Sequence, residues 1–567
     1  MAESSLGVSE LASRLLNQTN AGWNEHQRRV KHYSNMYDVY RGNAGSGGMP
    51  WQSKLRVKYA MQVIDTALVN ITSGRPKVKV SPRQPEYERG AKAMGRVLDY
   101  YITKDHFVEK QPVFAQSALI YGAAVAKNHW VTQKCERSMR VPTETSAGVM
   151  LMPQKVKYTD YDGPTFEPWD VYNTYWDPDG RDVDSAAYWV LISYLSKDQL
   201  ERQRFNADTK EGTLHNLDEL YEAGFRKPDN ESSKDSSDKN KDKFEVQEIW
   251  RETPQGLRCT VLGNRQIILR DEQSPYWHGK KPIVFAKSRI DLHEIAGVSE
   301  AELVDHLQQA LWTVQNMRMD NLHLTVHRGI TYREGGVTDP NALELRPRFK
   351  WPVTDHDDIR PFEVQPLPPE AYNEEEKLLS NMQLVTGINP YVSGADASAL
   401  DQNTATGITA LQDVASRLLR FKAGQLNNAY MRTYEQWSDM IQQLMDSDIA
   451  HRLEGPGGEI QWENYTPEDV VGDFDITLEG SEESLSKQQE RGDAIALLNA
   501  FAPLADRVNL QPVIERVAAA YGFGSPAALQ LPQQQGAPAA PNGGQGALPD
   551  GRALDPRIAG MINGPSR

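Results

Sequence analysis

The sequence is poor in cysteine, with only Cys135 and Cys259 among its 567 residues. Two cysteines are too few for the disulfide framework of a small secreted protein or for a metal site made of several thiolates. The first residues also lack a basic stretch followed by an apolar one, as a secretory signal requires. We therefore expect a protein that is made in a reducing cytosol and is not secreted.

Long apolar runs and an excess of basic residues are also missing. The longest weakly polar run, residues 117–126, is far shorter than the roughly 20 residues of a membrane-spanning helix, so we expect no membrane insertion. With 62 basic and 77 acidic residues, the formal net charge is −15. This balance argues against a protein that holds nucleic acid tightly by neutralising its phosphates, and any contact with DNA should be loose.

Motifs for common catalytic sites are absent. The glycine-rich stretch 42–48 lacks the Lys-Ser/Thr pair of a phosphate-binding loop, and residues 522–527 resemble a dinucleotide loop but end a helix. His323 and His327 have the spacing of zinc-protease ligands, but Leu324 stands where the general-base glutamate would be. We therefore expect neither an enzyme nor a bound cofactor or metal.

Asp177, Asp179, Asp182 and Asp184 form the densest group of carboxylates, around Pro178 and Gly180. Hard oxygen ligands of this kind can hold Ca²⁺ or Mg²⁺, but the spacing is not that of an EF-hand loop. Proline and glycine between aspartates are typical of a tight turn. The turn is the favoured interpretation, and a cation site remains the alternative.

What the sequence does contain is an apolar share of 39% in a chain of 63.8 kDa, enough for about three or four folded domains. Helical patterns over 6–40, 55–73, 86–104 and 111–120 alternate with strand patterns at 77–80 and 124–133. Further strands are predicted at 188–194, 244–250, 259–262 and 267–270. The pattern predicts an α+β domain, in a chain that is mainly helical overall.

The most regular pattern lies between residues 297 and 328, where apolar residues recur at alternating spacings of four and three. A helix of this length spans about 48 Å, and a polar residue within such a seam is typical of positions that fix register. The seam supports contacts between subunits or packing against the same chain, and the spacing alone does not decide between them. Its members are Leu303, Leu307, Ala310, Val314, Met317, Asn321, Leu324 and Arg328.

Residues 329–369 change to β character with seven prolines, and helical patterns return at 370–386 and 404–447. The proline-rich module should therefore sit at the tip of an antiparallel helical pair. The intervening stretch 387–403 is rich in Gly, Asn, Ser and Asp and predicts a loop. A strand is predicted at 474–478, helices at 483–505 and 511–521, and a disordered tail from 531.

This order of elements resembles the portal proteins of tailed bacteriophages. The local sequences that carry the resemblance are Ser117-Ala-Leu-Ile-Tyr-Gly-Ala-Ala124 followed by Trp130, Trp169-Asp-Val-Tyr172, Trp176-Asp-Pro178, Gly297-Val-Ser-Glu300, Gln308-Gln309, Asn316 to Asn321, Thr386-Gly-Ile-Asn389 and Asn403-Thr-Ala-Thr-Gly-Ile408. Many relatives have a glutamate where Gly407 stands here. The resemblance covers about residues 10 to 525.

The resemblance implies a dodecameric ring at one capsid vertex, assembled in the host cytoplasm, through which double-stranded DNA is packaged and ejected. The implied partners are other copies of the chain, the large terminase, a tail adaptor, the major capsid protein and a scaffold. The implied domains are the wing (1–296), first stem helix (297–328), clip (329–369), second stem helix (370–386), tunnel loop (387–403), long helix with return strands of the wing (404–480), helical crown (481–530) and tail (531–567).

Within this arrangement, Arg333, Arg346, Arg348, Lys350 and Trp351 would form the clip surface that contacts terminase and adaptor. The tunnel loop would face DNA through Asn389, Ser393, Gly394, Asp396, Ser398, Asp401 and Asn403, and the loop contains no Lys or Arg. A connector or adaptor ring of the tail is the alternative function. A metal-dependent hydrolase that uses the Asp177 group is a more distant one.

Overall fold

The computed structural model divides the chain into two compact units, Met1–Lys487 and Gln488–Arg567. The described residues all belong to the first unit. They are residues 8–43, 49, 51–72, 77–145, 148–205, 212–225, 242–327, 329–334, 355–365, 367–368, 370–388, 405–446, 449–454 and 460–479. The predicted crown and tail, with the helices expected at 483–505 and 511–521, lie outside them.

Helices and strands alternate through the described residues, in agreement with the predicted α+β class. The helices are α1 (Val8–Arg41), α2 (Tyr59–Thr72), α3 (Glu88–Lys104), α4 (Phe107–Tyr121), α5 (Lys197–Glu201), α6 (Leu217–Ala223), α7 (Glu300–Val326), α8 (Glu370–Thr386) and α9 (Ala405–Leu444). Each long helix predicted before residue 447 is confirmed to within a few residues. Helix α4 begins four residues earlier than predicted and includes Pro112.

Within the described residues, the strands form one large sheet, one three-stranded sheet and three two-stranded pairs. They are β1 (Lys77–Pro82), β2 (Ala124–Thr145), β3 (Gly148–Trp169), β4 (Thr174–Trp176), β5 (Tyr188–Leu195), β6 (Phe244–Thr253), β7 (Gly256–Gly263), β8 (Ile267–Gln273), β9 (Ile283–Ala286), β10 (Ile330–Tyr332), β11 (Ile359–Pro361), β12 (Ile449–Glu454), β13 (Ile460–Tyr465) and β14 (Phe474–Glu479).

The large sheet has the order β4-β5-β6-β7-β8, with every neighbouring pair antiparallel. Its four longer strands are those predicted from the sequence. One face packs against α1, which contributes Leu11 and Leu15 to an apolar cluster with Val190 and Ile249. Burying both faces of this sheet explains why its strands are rich in Val, Ile, Leu and Trp instead of alternating cleanly.

The three-stranded sheet has the order β3-β2-β9. The prediction of a single strand at 124–133 is wrong in length, because β2 continues to Thr145 and then returns as β3. A register shift between Gln133 and Lys134 divides this long hairpin into a base and an outer part.

The largest apolar core surrounds the second half of α9. Tyr430, Tyr434 and Trp437 are at most 1% exposed and meet Phe107 of α4, with ring centroids 5.5 to 6.0 Å apart. Each large side chain buried in this way contributes roughly 1.5–3 kcal/mol to stability. The C-terminal half of α9 is therefore anchored against α4 in this core.

The last described strand returns to the first one. β14 pairs antiparallel with β1, from Lys77 opposite Glu479 to Pro82 opposite Phe474. Arg83 adds an exposed ion pair to Asp475 at 2.7 Å. The segment after α9 thus belongs to the same folded unit as the N-terminal helices.

Candidate functional site

The predicted stem is an antiparallel pair of helices, α7 and α8. Helix α7 begins after Ser299, whose hydroxyl accepts a hydrogen bond from the backbone N–H of Glu302 at 2.9 Å. Midway along α7, Gln315 and Arg318 bond to Glu375 near the start of α8, at 2.8 and 2.5 Å. Glu300 at the start of α7 lies close to the end of α8, as described below, so the two helices run in opposite directions.

The face of α7 that packs against its own chain consists of Ala301, Val304, Gln308, Leu311, Trp312 and Gln315. Gln308 accepts a hydrogen bond from the backbone N–H of Ala60 at 2.7 Å and donates one to the carbonyl of Val39 at 2.9 Å. A buried amide whose two ends are both bonded avoids the cost of an unpaired polar group. This face therefore fastens the stem to α1 and α2.

The predicted seam lies one residue away from that buried face. Leu303, Leu307 and Val314 are half-buried, whereas Met317 is 60% and Leu324 41% exposed. Asn321 donates a side-chain hydrogen bond to the carbonyl of Gln365 at 3.0 Å. Of the two roles that the spacing left open for the seam, the main packing of α7 within the chain is made by the adjacent face, where glutamines occupy two positions. The role of the seam in contacts between copies stays a prediction.

Of the predicted clip, the structure describes only residues 329–334, 355–365 and 367–368. β10 and β11 form a short antiparallel pair, and Asp355 and Asp358 close the turn before β11 by bonding to each other's backbone. Arg333 donates its backbone N–H to the carbonyl of Asp358 at 2.9 Å, and its guanidinium is 74% exposed. The other predicted contact residues, Arg346, Arg348, Lys350 and Trp351, lie outside the described residues.

A buried ion pair joins the two stem helices to α9. The ammonium of Lys422 lies 3.0 Å from the carboxylate of Glu300, with the two side chains 1% and 0% exposed. Lys422 also donates to the carbonyl of Thr386 at 3.2 Å, the last residue of α8. Ser288 and Arg289 donate to the same oxygen of Glu300, at 2.9 and 3.3 Å. We call these five residues the stem junction.

Burial of the stem junction lowers the pKa of Lys422, and the neighbouring carboxylate of Glu300 opposes this shift. Removing the ammonium from water costs free energy. The short distance within the ion pair and the additional hydrogen bonds of the junction offset this cost. The junction fixes the point from which the predicted tunnel loop departs.

The carboxylates of the Asp177 group are engaged by their own turn and by one arginine. Asp177 accepts hydrogen bonds from the backbone N–H groups of Asp179 and Ala187, at 3.2 and 3.0 Å. Asp184 forms a two-point ion pair with Arg432 at 2.6 Å, which holds the pKa of that carboxyl below its ordinary value. Among the described residues, no group of three or more His, Cys, Asp or Glu side chains is placed to hold a metal ion.

A family model described as Phage SU10 portal protein matches residues 138–547, which is most of the chain. The chain belongs to this family. The match begins in the long hairpin and includes α7, α8 and α9, together with the residues predicted as clip and tunnel loop. None of the curated proteins matches the chain.

Membership of the Phage SU10 portal family supports a phage portal role at the capsid vertex. Proteins of this family are in general structural components and not enzymes. A portal is in general a ring of copies with capsid, terminase and tail partners. Across the part of the chain that the structure describes, no helix has the length and apolar character needed to cross a membrane.

In this portal chain, the predicted tunnel loop is described only over its first two residues. Gly387 has φ of +73°, and a Cβ atom there would lie 2.6 Å from the side chain of Leu418. Ile388 is 5% exposed and belongs to a core cluster that also contains Leu419. The other loop residues predicted to face DNA, Asn389, Ser393, Gly394, Asp396, Ser398, Asp401 and Asn403, lie outside the described residues.

Sequence reasoning missed the polar residues that hold the stem in place. Gln308, Gln315 and Lys422 interrupt apolar faces, so a search for apolar periodicity passes over them. The available signal was the repeated spacing of 301, 304, 308, 311 and 315, which has the same period as the predicted seam. Counting glutamine as a possible core residue would have shown two candidate faces instead of one.

Proposed function

We propose that the chain forms a dodecameric ring that serves as the channel for packaging and ejecting viral double-stranded DNA. The observation that carries the proposal is the family match over residues 138–547, which includes the stem, clip and long helix. The antiparallel pair of α7 and α8, with a β pair between them in sequence, is the arrangement expected for a stem that carries a clip.

A ring is tested by purifying the chain and measuring its mass and its image in negative stain. The expected particle is a ring of about twelve times the 63.8 kDa of one chain. Compact single particles at every concentration and salt condition would contradict the proposal. An adaptor ring of the tail is the second candidate. A measurement of terminase binding distinguishes the two candidates, because the proposed portal ring should bind terminase.

DNA is expected to pass the tunnel loop without being held there. The loop contains Asp396 and Asp401 but no Lys or Arg, and few cations mean few phosphate contacts to break at each step. Replacing both aspartates with lysine should slow DNA packaging at low salt and leave rings intact. The matched control is lysine at Glu109 and Asp218, which are both 79% exposed in the wing. Packaging at the wild-type rate in the loop variant would argue against a DNA-facing loop.

The clip is expected to bind the large terminase and afterwards the tail adaptor. Arg333, Arg346, Arg348 and Lys350 would supply positive charge for this contact, and Trp351 would supply apolar area. Replacing Arg346, Arg348 and Lys350 with glutamine should weaken terminase binding without preventing ring formation. The control replaces Arg89 and Lys92, which are 90% and 77% exposed in the wing. Equal terminase affinity for the two variants would show that terminase docks on a surface other than the clip.

The major capsid protein and the scaffold are the remaining proposed partners. Both would contact the wing of the ring at one vertex of the capsid. Assembly in the host cytoplasm follows from the reducing compartment expected from the low cysteine content. The metal-dependent hydrolase has no support in the described residues, where the Asp177 carboxylates bond to their own turn and to Arg432. Neither a cofactor nor a metal is part of the proposed function.

A further inference from the structure

A segment between α1 and α2 lies along α7. We call residues 51–58 the strap. Three of its backbone groups bond to side chains of α7 that stand one helical turn apart, at 2.6 to 2.7 Å. The bonded pairs are Ser53 with Asp320, Leu55 with Asn316, and Val57 with Trp312. From residue 320 to residue 312, α7 covers about 12 Å, close to the roughly 13 Å of four extended residues. The strap is therefore an extended chain that runs antiparallel to α7.

The strap is basic and exposes apolar groups. It contains Lys54, Arg56 and Lys58 and no acidic residue. Lys54 and Lys58 are exposed, whereas Arg56 is half-buried. Trp51 is 53% and Leu55 44% exposed. Lys54 forms no ion pair with another of the described residues. The strap thus presents unpaired positive charge beside apolar area.

The exposed side of α8 has acidic groups. The helix contains four glutamates and one lysine. Glu374 and Glu376 are both exposed, and Lys377 lies 3.9 Å from Glu374. Glu376 forms no ion pair within the part of the chain that the structure describes. Tyr372 and Leu384 add apolar area, since they are 54% and 80% exposed. α8 therefore resembles the strap in its exposed apolar groups and opposes it in charge.

The strap and α8 lie on two different flanks of α7. Successive residues of an α-helix are about 100° apart around its axis. By this spacing, the side chains of α7 that hold the strap are centred roughly 130° from Gln315 and Arg318, which bond to Glu375 of α8. The face of α7 that packs within the chain lies between these two directions. One copy therefore has a basic flank and an acidic flank, with the buried face of α7 between them.

The charges on the two flanks also lie at the same level along α7. Lys54 stands between the strap residues that bond to positions 316 and 320 of α7. Glu376 follows Glu375, which bonds to positions 315 and 318. The two levels agree to within one helical turn, about 5 Å. A rotation about a ring axis keeps each group at its own height, so in a stem that runs along the channel these charges meet between neighbours.

We propose that the strap of one copy packs on α8 of the neighbouring copy in the ring, with Lys54 facing Glu376. The inference rests on the proposed ring and names two surfaces that meet in it. A contact between two different surfaces is of the head-to-tail kind, which generates a ring when the rotation between copies closes. The opposite charges fix the register of the contact, and the exposed apolar groups of both flanks are covered by it.

Double-stranded DNA is the other partner that a basic strap could contact. DNA would neutralise the lysines but would leave Trp51 and Leu55 uncovered, because the duplex backbone offers phosphates and sugars. It would also leave the acidic flank on α8 without a partner. The neighbouring copy accounts for both flanks with one contact and is therefore favoured.

The test reverses the charges of the two flanks in the full-length chain. One variant is Lys54→Glu, and the other combines Glu374→Lys with Glu376→Lys, all at exposed positions. Far-UV circular dichroism checks that each variant folds, and mass photometry measures the protein concentration at which half of the chain is in rings. Lys92→Glu, at a 77% exposed position of the wing, is the control for a change of net charge.

Like charges would face each other in either flank variant, so each should need about ten-fold more protein or more to form rings at low salt. An equimolar mixture of the two flank variants should form rings within about three-fold of the wild-type concentration, because in alternating rings every acidic surface meets a basic one. Lys92→Glu should assemble as the wild type does.

Three results would overturn the strap contact and leave the ring proposal standing. They are flank variants that form rings as readily as the wild type, a mixture that fails to restore assembly, and normal rings of Lys54→Glu that bind DNA more weakly than those of Lys92→Glu. The last result would assign the strap to DNA. If the wild-type chain forms no rings, the proposed function itself fails, and mass photometry of the same samples shows it.

Discussion

The stem junction offers a direct test of how α7, α8 and α9 are held together. Replacing Lys422 with methionine keeps most of the side-chain volume but leaves the carboxylate of Glu300, which is 0% exposed, without its closest cation. Breaking a buried ion pair by removing one partner typically costs 3–5 kcal/mol. Arg289 still donates to Glu300 at 3.3 Å, so the loss should lie at the low end, about 3 kcal/mol.

The reverse change should cost less. In Glu300→Gln, the ammonium of Lys422 loses its partner, but burial already lowers the pKa of Lys422, and the group can shed its proton. The double variant Lys422→Met with Glu300→Gln contains neither buried charge. Its stability should therefore return to within about 1 kcal/mol of the wild type, as expected when both members of a buried pair are replaced.

The assay is urea unfolding of the monomer, followed by tryptophan fluorescence and far-UV circular dichroism. Coincident transitions are required before a single free energy of unfolding is assigned to a chain of this size. Lys377→Met is the control, since that lysine is 71% exposed and 3.9 Å from its acidic neighbour, and it should change stability by under about 0.5 kcal/mol. A loss below about 1 kcal/mol for Lys422→Met, or a double variant as unstable as the single one, would refute the reasoning.

Three further predictions follow from exposure, charge and backbone geometry. Met317→Asp, at a 60% exposed seam position, should leave the monomer folded by circular dichroism but prevent ring formation in negative stain, whereas Leu311→Asp, at 0% exposure, should unfold it. Burial lowers the pKa of His26 from 6.5 to about 4, so the unfolded chain binds more protons between these values. Stability should fall as pH drops through that window, by at most about 3 kcal/mol from this residue, and the urea midpoints of His26→Gln should depend less on pH. Gly122→Ala should destabilise the chain by more than about 1 kcal/mol in the same urea assay, because φ is +72° there and a Cβ atom would lie 2.1 Å from the carbonyl of Gly297. A wild-type midpoint for that variant would contradict the close approach of the two glycines.

The helices were predictable because the sequence of each one shows a helical spacing of apolar residues and has residues at its ends that are typical of helix termini. α8 was predicted to begin and end where the structure has it, and α9 was placed to within a few residues, in each case from apolar spacing interrupted by glycine or polar loops. The four longer strands of the large sheet were also found, since their β-branched and aromatic runs are bounded by turn residues. These features depend on neighbours in sequence, which a single sequence displays directly.

The long hairpin was missed for a physical reason. β2 and β3 have 22 residues each, several times the usual strand length, and both contain proline. In a sequence considered alone, a proline argues against a strand because it lacks the backbone N–H donor. Along an exposed edge proline is tolerated, because no backbone N–H is needed there to pair with a further strand. The strand prediction stopped at residue 133, next to the register shift at Gln133 and Lys134. Beyond this point the backbone of β2 is paired with that of β3, and this partner is not revealed by the spacing within β2 alone.

The functional site was harder to predict than the fold because its key residues are polar and buried. Apolar spacing found a face on α7, but the face that packs within the chain is the adjacent one, held by Gln308 and Gln315. A glutamine enters a core only when specific partners satisfy it, and those partners, such as the backbone of Ala60, come from distant sequence. The same holds for Lys422, whose burial depends on Glu300 more than a hundred residues away. The buried face holds α7 to α1 and α2, whereas Met317 of the seam is exposed in the single chain. A contact of this exposed seam with a neighbouring copy stays a prediction, and the Met317→Asp variant tests it.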